Sequence, residues 1–361
     1  MKTLHIIDHL GLGGAQTILK SVFESQKENP DIYCYSLRTN KDGHLNIEHK
    51  NAYCHKGTKR LSFSALSELK KLIKENKIDV LHCHLKKGLA VGWLMKKLFF
   101  RNIKLIFHEH SDIYKGDSVY NFMLKFTRKD IDLYVSVSEA IKQRMIKKAG
   151  IKAGKIQIVR NFADTHKFSR ENVDINEADS IKSRLNLDNA DLVIGFFGRF
   201  THQKNCEVLI KALPFVDHAN FKVLIVGGGE NKQKLLNLAD ELKISEKVTF
   251  IDYQKDIRNL LSLCDICVLP SRWEGSPMIY YEAAAMGIPV IGSDTDGINE
   301  TIRHGVNGLL FKSNDPKDLA DKINSYQTTP NLKVTIKNNL KEGIKDCGVK
   351  GYVKKLEGLN R

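Results

Sequence analysis

At 361 residues, 42% hydrophobic and 27% charged with seven prolines, the chain exceeds what one core organises and predicts two ordered domains of roughly 150–200 residues each. No apolar stretch approaches the roughly 20 residues of a spanning helix, which argues against membrane insertion. A net charge of +15 favours an anionic partner, and nucleic acid, an anionic lipid surface and phosphorylated substrates all qualify.

The chain opens MKTLHIIDHLGLGGAQ. Its apolar run is too short for a signal peptide and turns glycine-rich at once, as a first buried strand does, so a cytoplasmic protein is expected. The loop GLGGAQ, Gly11 to Gln16, follows that strand, where glycines permit a tight turn and close approach of a ligand. It fails the G-x-G-x-x-G dinucleotide fingerprint, because Gln16 takes the third glycine's place and no clear acidic residue ends the next strand. A nicotinamide enzyme is therefore disfavoured, while a bare turn and a ligand loop stay equally open.

Short apolar runs then alternate with amphipathic segments. DVLHCHL, KLIFHEH and LYVSVS read as strands, and ALSELKKLIKENK and EAIKQRMIKKAG as helices with apolar residues every three or four positions. The pairs His82/His84 and His108/His110 put histidines on one face at two strand ends. They offer zinc chelation as in a metallohydrolase, but no carboxylate constellation follows them, so hydrogen-bonding histidines lining a polar cleft are the better reading. The segment Lys86 to Lys104 mixes Lys86, Lys87, Lys96, Lys97, Arg101 and Lys104 with Trp93, Leu94, Leu98, Phe99 and Phe100. It suits a bilayer surface, but a helix with one core face and one solvated lysine face is favoured.

Near VRNFADTHKFSRENVDINEADS a strand gives way to a polar stretch, which places the domain boundary near Asp164, with domains at 1–164 and 165–361. The second half repeats the alternation: LVIGFFG, KVLIVGGG, VTFID, ICVLP and PVIGS, with NKQKLLNLADELKI between. Two such sets imply two doubly wound parallel sheets, with ligands bound beyond the carboxyl ends of the strands and a cleft where the domains face each other. The lysine-rich tail after Thr328 is helical, with its last helix expected to cross back to the first domain.

In this half, GRFTHQKN places Arg199 and Lys204 five apart in a post-strand loop, where they either converge on a pyrophosphate or are plain surface cations. VGGGE suits a phosphate or a packing turn equally. The cysteines Cys34, Cys54, Cys83, Cys206, Cys264, Cys267 and Cys347 are odd in number and mostly in apolar context, as reduced thiols are, and the pair in LCDICVLP runs into a strand rather than a metal turn. In SRWEGSPMIYYEAAAMGIPV a strand end meets a loop and then a helix whose Pro277 suits the first turn, so the amides from Ser276 to Ile279 aim at an anion. Glu282 alone is explained by dipole compensation, but Glu274, Gly275 and Pro277 together are not.

With these motifs in hand, E-x7-E followed by EAAAMGIPVIGSDTDGINE and HGVNGLL resembles the donor-site signature of the retaining glycosyltransferases of family 4, with the GT-B fold. GGAQ, DVLHCH, HEH, VSVSEAIK, VRNFAD and GRF with KN fall in that family's order from Gly13 to Leu310. The resemblance implies an α/β architecture of two Rossmann-like domains facing a central cleft, an N-terminal acceptor domain and a C-terminal nucleotide-sugar domain. It also implies a metal-independent transfer, with no cofactor beyond the nucleotide-sugar co-substrate, of a hexose or N-acetylhexosamine, UDP being the favoured carrier. The acceptor it implies is a surface glycan or lipid-linked oligosaccharide, and the +15 charge and the lysine-aromatic segment fit its presentation at the inner membrane face.

By that resemblance Arg199 and Lys204 clamp the diphosphate with the amides of Met278 and Ile279, and Glu282 accepts from the ribose hydroxyls. Glu274, with Gly275, Ser276 and Pro277, contacts the transferred sugar. His110 lies near the reacting centre, Gly13 and Gly14 border acceptor and phosphate, and the base sits near Asp252 and Tyr253. Cations and a helix tip aimed at the leaving diphosphate stabilise the transition state selectively, and front-face attack requires no enzymic base. Ser276 in place of Phe, Phe162 in place of Gly after Asn161, and the missing second glycine of GINE depart from the family pattern; the first and last bear on donor identity. Asp294 and Asp296 imitate a metal-binding D-x-D but occupy a plain strand-end loop. The rivals are a nucleotide-sugar epimerase or hydrolase of the same fold and a basic nucleic-acid-binding protein, the latter without a recognisable module, so no nucleic acid partner is expected. No oligomeric state is indicated.

Overall fold

The computed structural model describes all residues except 12, 41–44, 59–61, 111–117, 219, 345–347 and 361, and, among side chains, those of 341 and 360. Leu12 of the first glycine loop and Cys347 of the expected thiols thus lie outside the described residues. The chain divides into two compact units, Met1–Phe162 with Val349–Arg361, and Ala163–Gly348.

The first unit runs β1 (Thr3–His9), α1 (Gly14–Ser25), β2 (Ile32–Arg38), β3 (Ala52–Cys54), α2 (Phe63–Asn76), β4 (Val80–His84), α3 (Leu85–Leu98), β5 (Lys104–Glu109), α4 (Ser118–Thr127), β6 (Leu133–Ser136), α5 (Glu139–Ala149) and β7 (Ile156–Ile158). Its seven strands lie in the order β3-β2-β1-β4-β5-β6-β7, all pairs parallel. Crossover helices cover the faces of such a sheet, so its central strands carry continuous buried runs; every residue of β4 is buried. The order reverses between β1 and β4, and at such a switch point the loops leaving the carboxyl ends diverge and leave a crevice.

The second unit runs α6 (Ile175–Arg184), β8 (Leu192–Phe197), α7 (Cys206–Ala212), β9 (Phe221–Val226), α8 (Lys232–Glu241), β10 (Val248–Ile251), α9 (Arg258–Ser262), β11 (Ile266–Leu269), α10 (Met278–Ala285), β12 (Val290–Ser293), β13 (Leu309–Phe311), α11 (Pro316–Thr328) and α12 (Pro330–Ile344). Its six parallel strands take the order β10-β9-β8-β11-β12-β13, with the reversal between β8 and β11. A final helix, α13 (Val349–Asn360), belongs to the first unit, where it packs on α1, its Tyr352 ring 4.6 Å from that of Phe162.

Helices start where the sequence supplies a cap. Ser62, Ser138, Asp174 and Asp315 accept from the first-turn amides of α2, α5, α6 and α11, and Pro316 opens the last of these. Helices α1 and α10 begin at Gly13 and Pro277 with neither a side-chain cap nor a first-turn acid, so their leading N–H groups stay open. Both follow strands at the switch points.

Candidate functional site

In the second unit β8 and β11 are direct neighbours, pairing Ile194 with Ile266, so the loops that leave them meet. Arg272 N donates to Gln203 O (2.8 Å) and Gln203 Nε2 to Trp273 O (3.0 Å), while the Arg272 guanidinium reaches Asn205 Oδ1 (2.9 Å). This zip carries Lys204 to Glu274. The ammonium donates to Glu274 Oε1 at 2.6 Å, with 19% and 9% of the two side chains exposed.

The loop after β9 supports the same arrangement from behind. Phe200 N donates to Gly228 O (2.8 Å), and Asn231 N donates to Phe200 O (3.1 Å). Gly227 has φ +148°, and a Cβ there would stand 2.0 Å from Gly198 O, so VGGGE is a packing turn under the Arg199 loop. Arg199 itself is exposed, and among the described residues its guanidinium meets no carboxylate.

Glu274 and Gly275 are pinned from a third side by the loop after β12. Glu274 N donates to Asp296 O (3.3 Å), and Gly297 takes φ +82°, where a Cβ would stand 2.2 Å from Glu274 O. Just past β12 the Asp294 carboxylate accepts from Asn299 Nδ2 (2.9 Å). Ser276 Oγ lies 3.0 Å from the Tyr281 hydroxyl, both buried.

Helix α10 then begins, with Met278 and Ile279 as its first residues. Glu282 stands one turn in. Burial pushes its carboxyl up to about 7, against the downward pull of Lys167 and Lys204, and among the described residues it accepts no hydrogen bond. Tyr253, just past β10, is 53% exposed, and Asp252 before it pairs with Lys232 at 2.5 Å. The structure therefore brings Lys204, Glu274, Gly275, Ser276, Pro277 and Glu282 to the tip of α10, with Arg199 reaching solvent and Tyr253 at the end of another strand. A post-strand cation, a buried carboxylate neutralised by a second cation and an uncapped helix start can receive a diphosphate, and an unpartnered carboxyl beside them can accept hydroxyl groups.

In the first unit Gly13 caps α1 and the Gln16 side chain fills the space that a Cβ at Gly13 would need, its Oε1 only 2.5 Å away. Gly13 and Gly14 are exposed. The predicted histidines do not line a surface. His82 and His108 are fully buried, His84 is 3% exposed and His110 9%, and His5, which sequence reasoning missed, joins them at 4%. Parallel register explains the convergence: His5 stands opposite His82 and His84 opposite His108, so one face of the sheet carries all five rings. His84 Nδ1 lies 2.9 Å from His110 Nε2 and His82 Nε2 lies 3.2 Å from His108 Nδ1. Burial holds every ring neutral, with His110 lowered to about 3 and His5 to about 4.

The lysine-aromatic segment forms α3. Its inner face is buried, and its cations pair internally: Lys87 with Asp8 (2.7 Å), Lys96 with Asp132 (2.6 Å) and Lys97 with Asp130 (2.9 Å), which also accepts from Trp93 Nε1. Leu98 and Phe99 at its end stay exposed, and further exposed apolar residues stand on α4, where Val119, Phe122 and Phe126 share one face. No helix among the described residues is long and apolar enough to cross a membrane.

Comparison with known proteins places these features in context. Residues 13–167 match the family described as Glycosyltransferase Family 4, and residues 177–343 match Glycosyl transferases group 1. Over 307 residues the chain is 25% identical to UDP-Gal:alpha-D-GlcNAc-diphosphoundecaprenol alpha-1,3-galactosyltransferase of Escherichia coli, covering 82% of this chain and 78% of that protein. It is 30% identical over 224 residues to the N,N'-diacetylbacillosaminyl-diphospho-undecaprenol alpha-1,3-N-acetylgalactosaminyltransferase of Campylobacter jejuni, covering 62% of this chain and 57% of that one. The crystal structure of Anabaena Alr3699/HepE in complex with UDP and glucose superposes with a TM-score of 0.85 at 20% identity over 99% of both chains.

Proposed function

The chain belongs to the family 4, group 1 glycosyltransferases of the GT-B fold, and from that membership we propose that it moves a hexose or N-acetylhexosamine from a UDP-sugar, with retention, to a lipid-linked oligosaccharide. The observation that carries this reading is the grouping of Lys204, Glu274 and an unpartnered Glu282 at the open start of α10. The Escherichia coli relative, by its name, uses UDP-Gal on a diphosphoundecaprenol-linked sugar, which supports the same donor and acceptor classes here.

In this mechanism Arg199, which meets no carboxylate among the described residues, and Lys204, which gives only one of its three N–H donors to Glu274, take the donor diphosphate together with the amides of Met278 and Ile279. As the glycosidic bond lengthens, charge grows on the β-phosphate, and these fixed groups gain strength in the transition state rather than the ground state. Glu282 accepts from the ribose hydroxyls. Glu274, held by Lys204, faces the sugar hydroxyls beside the developing oxocarbenium ion, and Tyr253 stands by the base. His110, Gly13 and Gly14 are assigned to the acceptor side by family membership, a role for which the buried Nδ1 of His110 has to become accessible. The departing phosphate takes the acceptor's proton. With cationic side chains in place at the diphosphate, the transfer needs no divalent ion, so added Mg2+ or Mn2+ leaves the initial rate unchanged.

A lipid-linked acceptor calls for a membrane-facing surface, and α4 supplies one. Val119, Phe122 and Phe126 are 70%, 69% and 62% exposed, beside exposed Lys125 and Lys129. Co-sedimentation with anionic vesicles at low salt is expected and is lost in Phe122→Ser/Phe126→Ser. The central test is a thermal-shift panel of UDP-, GDP-, ADP- and dTDP-sugars followed by product analysis with and without a lipid-linked acceptor. A UDP-sugar that raises the melting temperature and turns over only with acceptor supports the transferase; turnover of donor alone points to an epimerase or hydrolase.

A further inference from the structure

Crossover helices leave both faces of a parallel sheet dry, and apolar side chains normally fill them. Around β1, β4 and β5 one face instead carries five imidazoles, and the transfer chemistry engages only His110. Their hydrogen bonds do not satisfy them: His82 Nδ1, His108 Nε2 and His110 Nδ1 are buried without a partner. Where His82 and His84 donate to His108 Nδ1 and His110 Nε2, the other nitrogens of His108 and His110 carry unpaired N–H groups and His82 Nδ1 keeps a bare lone pair, each unsatisfied group costing about 1–3 kcal/mol.

We propose that His5, His82 and His84 form a binding site for one divalent first-row transition metal ion of the zinc type. One ring nitrogen from each lies within 4.8 Å of the others, and all three residues are buried. His5 Nδ1 and His84 Nε2 already approach to 2.9 Å, and imidazoles at about 2.0–2.1 Å around a tetrahedral ion stand about 3.3 Å apart.

The far sides of the rings support the same assignment. His84 coordinates through Nε2 because its Nδ1–H donates to His110 Nε2 (2.9 Å). His82 coordinates through its unpartnered Nδ1 because its Nε2–H donates to His108 Nδ1 (3.2 Å). Such outer bonds fix the tautomer and orient a metal-bound histidine. Three neutral nitrogens without a carboxylate suit zinc, copper or nickel rather than magnesium or calcium. The ion belongs to the first unit's interior and is separate from the diphosphate chemistry of the second; the inference stands whether or not the transferase reading does.

The test uses tag-free full-length protein, stripped with a chelator and titrated with Co2+ and then Zn2+. The expected result is about one Co2+ per chain with the intense visible bands of a low-coordinate site, displaced by one equivalent of Zn2+. Zn2+ should also raise the melting temperature of the stripped protein. His82→Phe and, as a second variant less prone to misfolding, His5→Gln should each weaken binding at least about tenfold. No stoichiometric uptake by the wild-type chain, or uptake with a weak six-coordinate spectrum that neither variant changes, overturns the proposal.

Discussion

Lys204 Nζ lies 2.6 Å from Glu274 Oε1, across the point where the strand order of the second sheet reverses. The pair joins residues 70 positions apart and neutralises a carboxylate that is 9% exposed. Lys204→Ala removes one partner of a largely buried pair. We expect a loss of about 2–3 kcal/mol of stability, below the full buried-pair cost because Lys204 keeps some solvent, together with a fall in turnover of orders of magnitude. The double variant Lys204→Met/Glu274→Gln should recover much of the melting temperature but none of the rate; recovery of both would remove the pair from the chemistry.

Arg199 separates the two effects. It is exposed and meets no carboxylate among the described residues, so Arg199→Ala should shift stability by no more than about 0.5 kcal/mol. Its loss at the leaving diphosphate should still lower kcat by about 100-fold or more. Thermal melts and initial rates on one preparation check both halves, and a near-normal rate would move the diphosphate elsewhere.

Glu282 gives a pH signature. Its folded value of about 7 lies above the ordinary carboxyl value of 4.5, so between those pH values the native chain holds a proton that the unfolded chain has released. Stability from this group is therefore full below about pH 4.5 and falls as pH rises towards 7, by a few kcal/mol at most. The melting-temperature difference between Glu282→Gln and wild type should widen in the variant's favour over that window. If ribose hydroxyls donate to the ionised carboxylate, UDP binding releases a proton and strengthens as pH rises through 7. Calorimetry in buffers of different ionisation enthalpy reads that proton directly.

Gly297 holds the Glu274 loop by having no side chain. Gly297→Ala puts a Cβ 2.2 Å from Glu274 O at φ +82°, so strain and displacement add. A stability loss of about 1–3 kcal/mol and a sharp loss of donor binding are expected, the second measured as a vanished UDP-induced thermal shift. An unchanged shift would show that the loop after β12 does not set the position of Glu274.

Much of this site was legible because chain-local signals carry it. Apolar runs alternating with amphipathic segments revealed both sheets, and Glu274, Pro277 and Glu282 sit on one strand-loop-helix whose spacing alone is informative. What stayed hidden depends on register and on strand order. Nothing near Lys204 announces Glu274, because the two meet only through the adjacency of β8 and β11. His5 escaped for the same reason: its neighbours in sequence are ordinary strand residues, and only pairing with β4 sets it opposite His82. The glycines of VGGGE were ambiguous because a phosphate loop and a backbone packed against a backbone both exclude a Cβ, and only the position of Gly198 distinguishes them. The cations of α3 looked available for a bilayer because their aspartate partners are remote in sequence: Asp8 of β1 for Lys87, and Asp132 and Asp130, around the start of β6, for Lys96 and Lys97.

Because α13 completes the unit that β1 begins, the second unit is an insertion in the sequence of the first. On the ribosome, all of that module emerges before the earlier half receives its closing segment, so the half translated first is the last to be finished. Clipping the final helix should accordingly injure the histidine-bearing half and spare nucleotide binding.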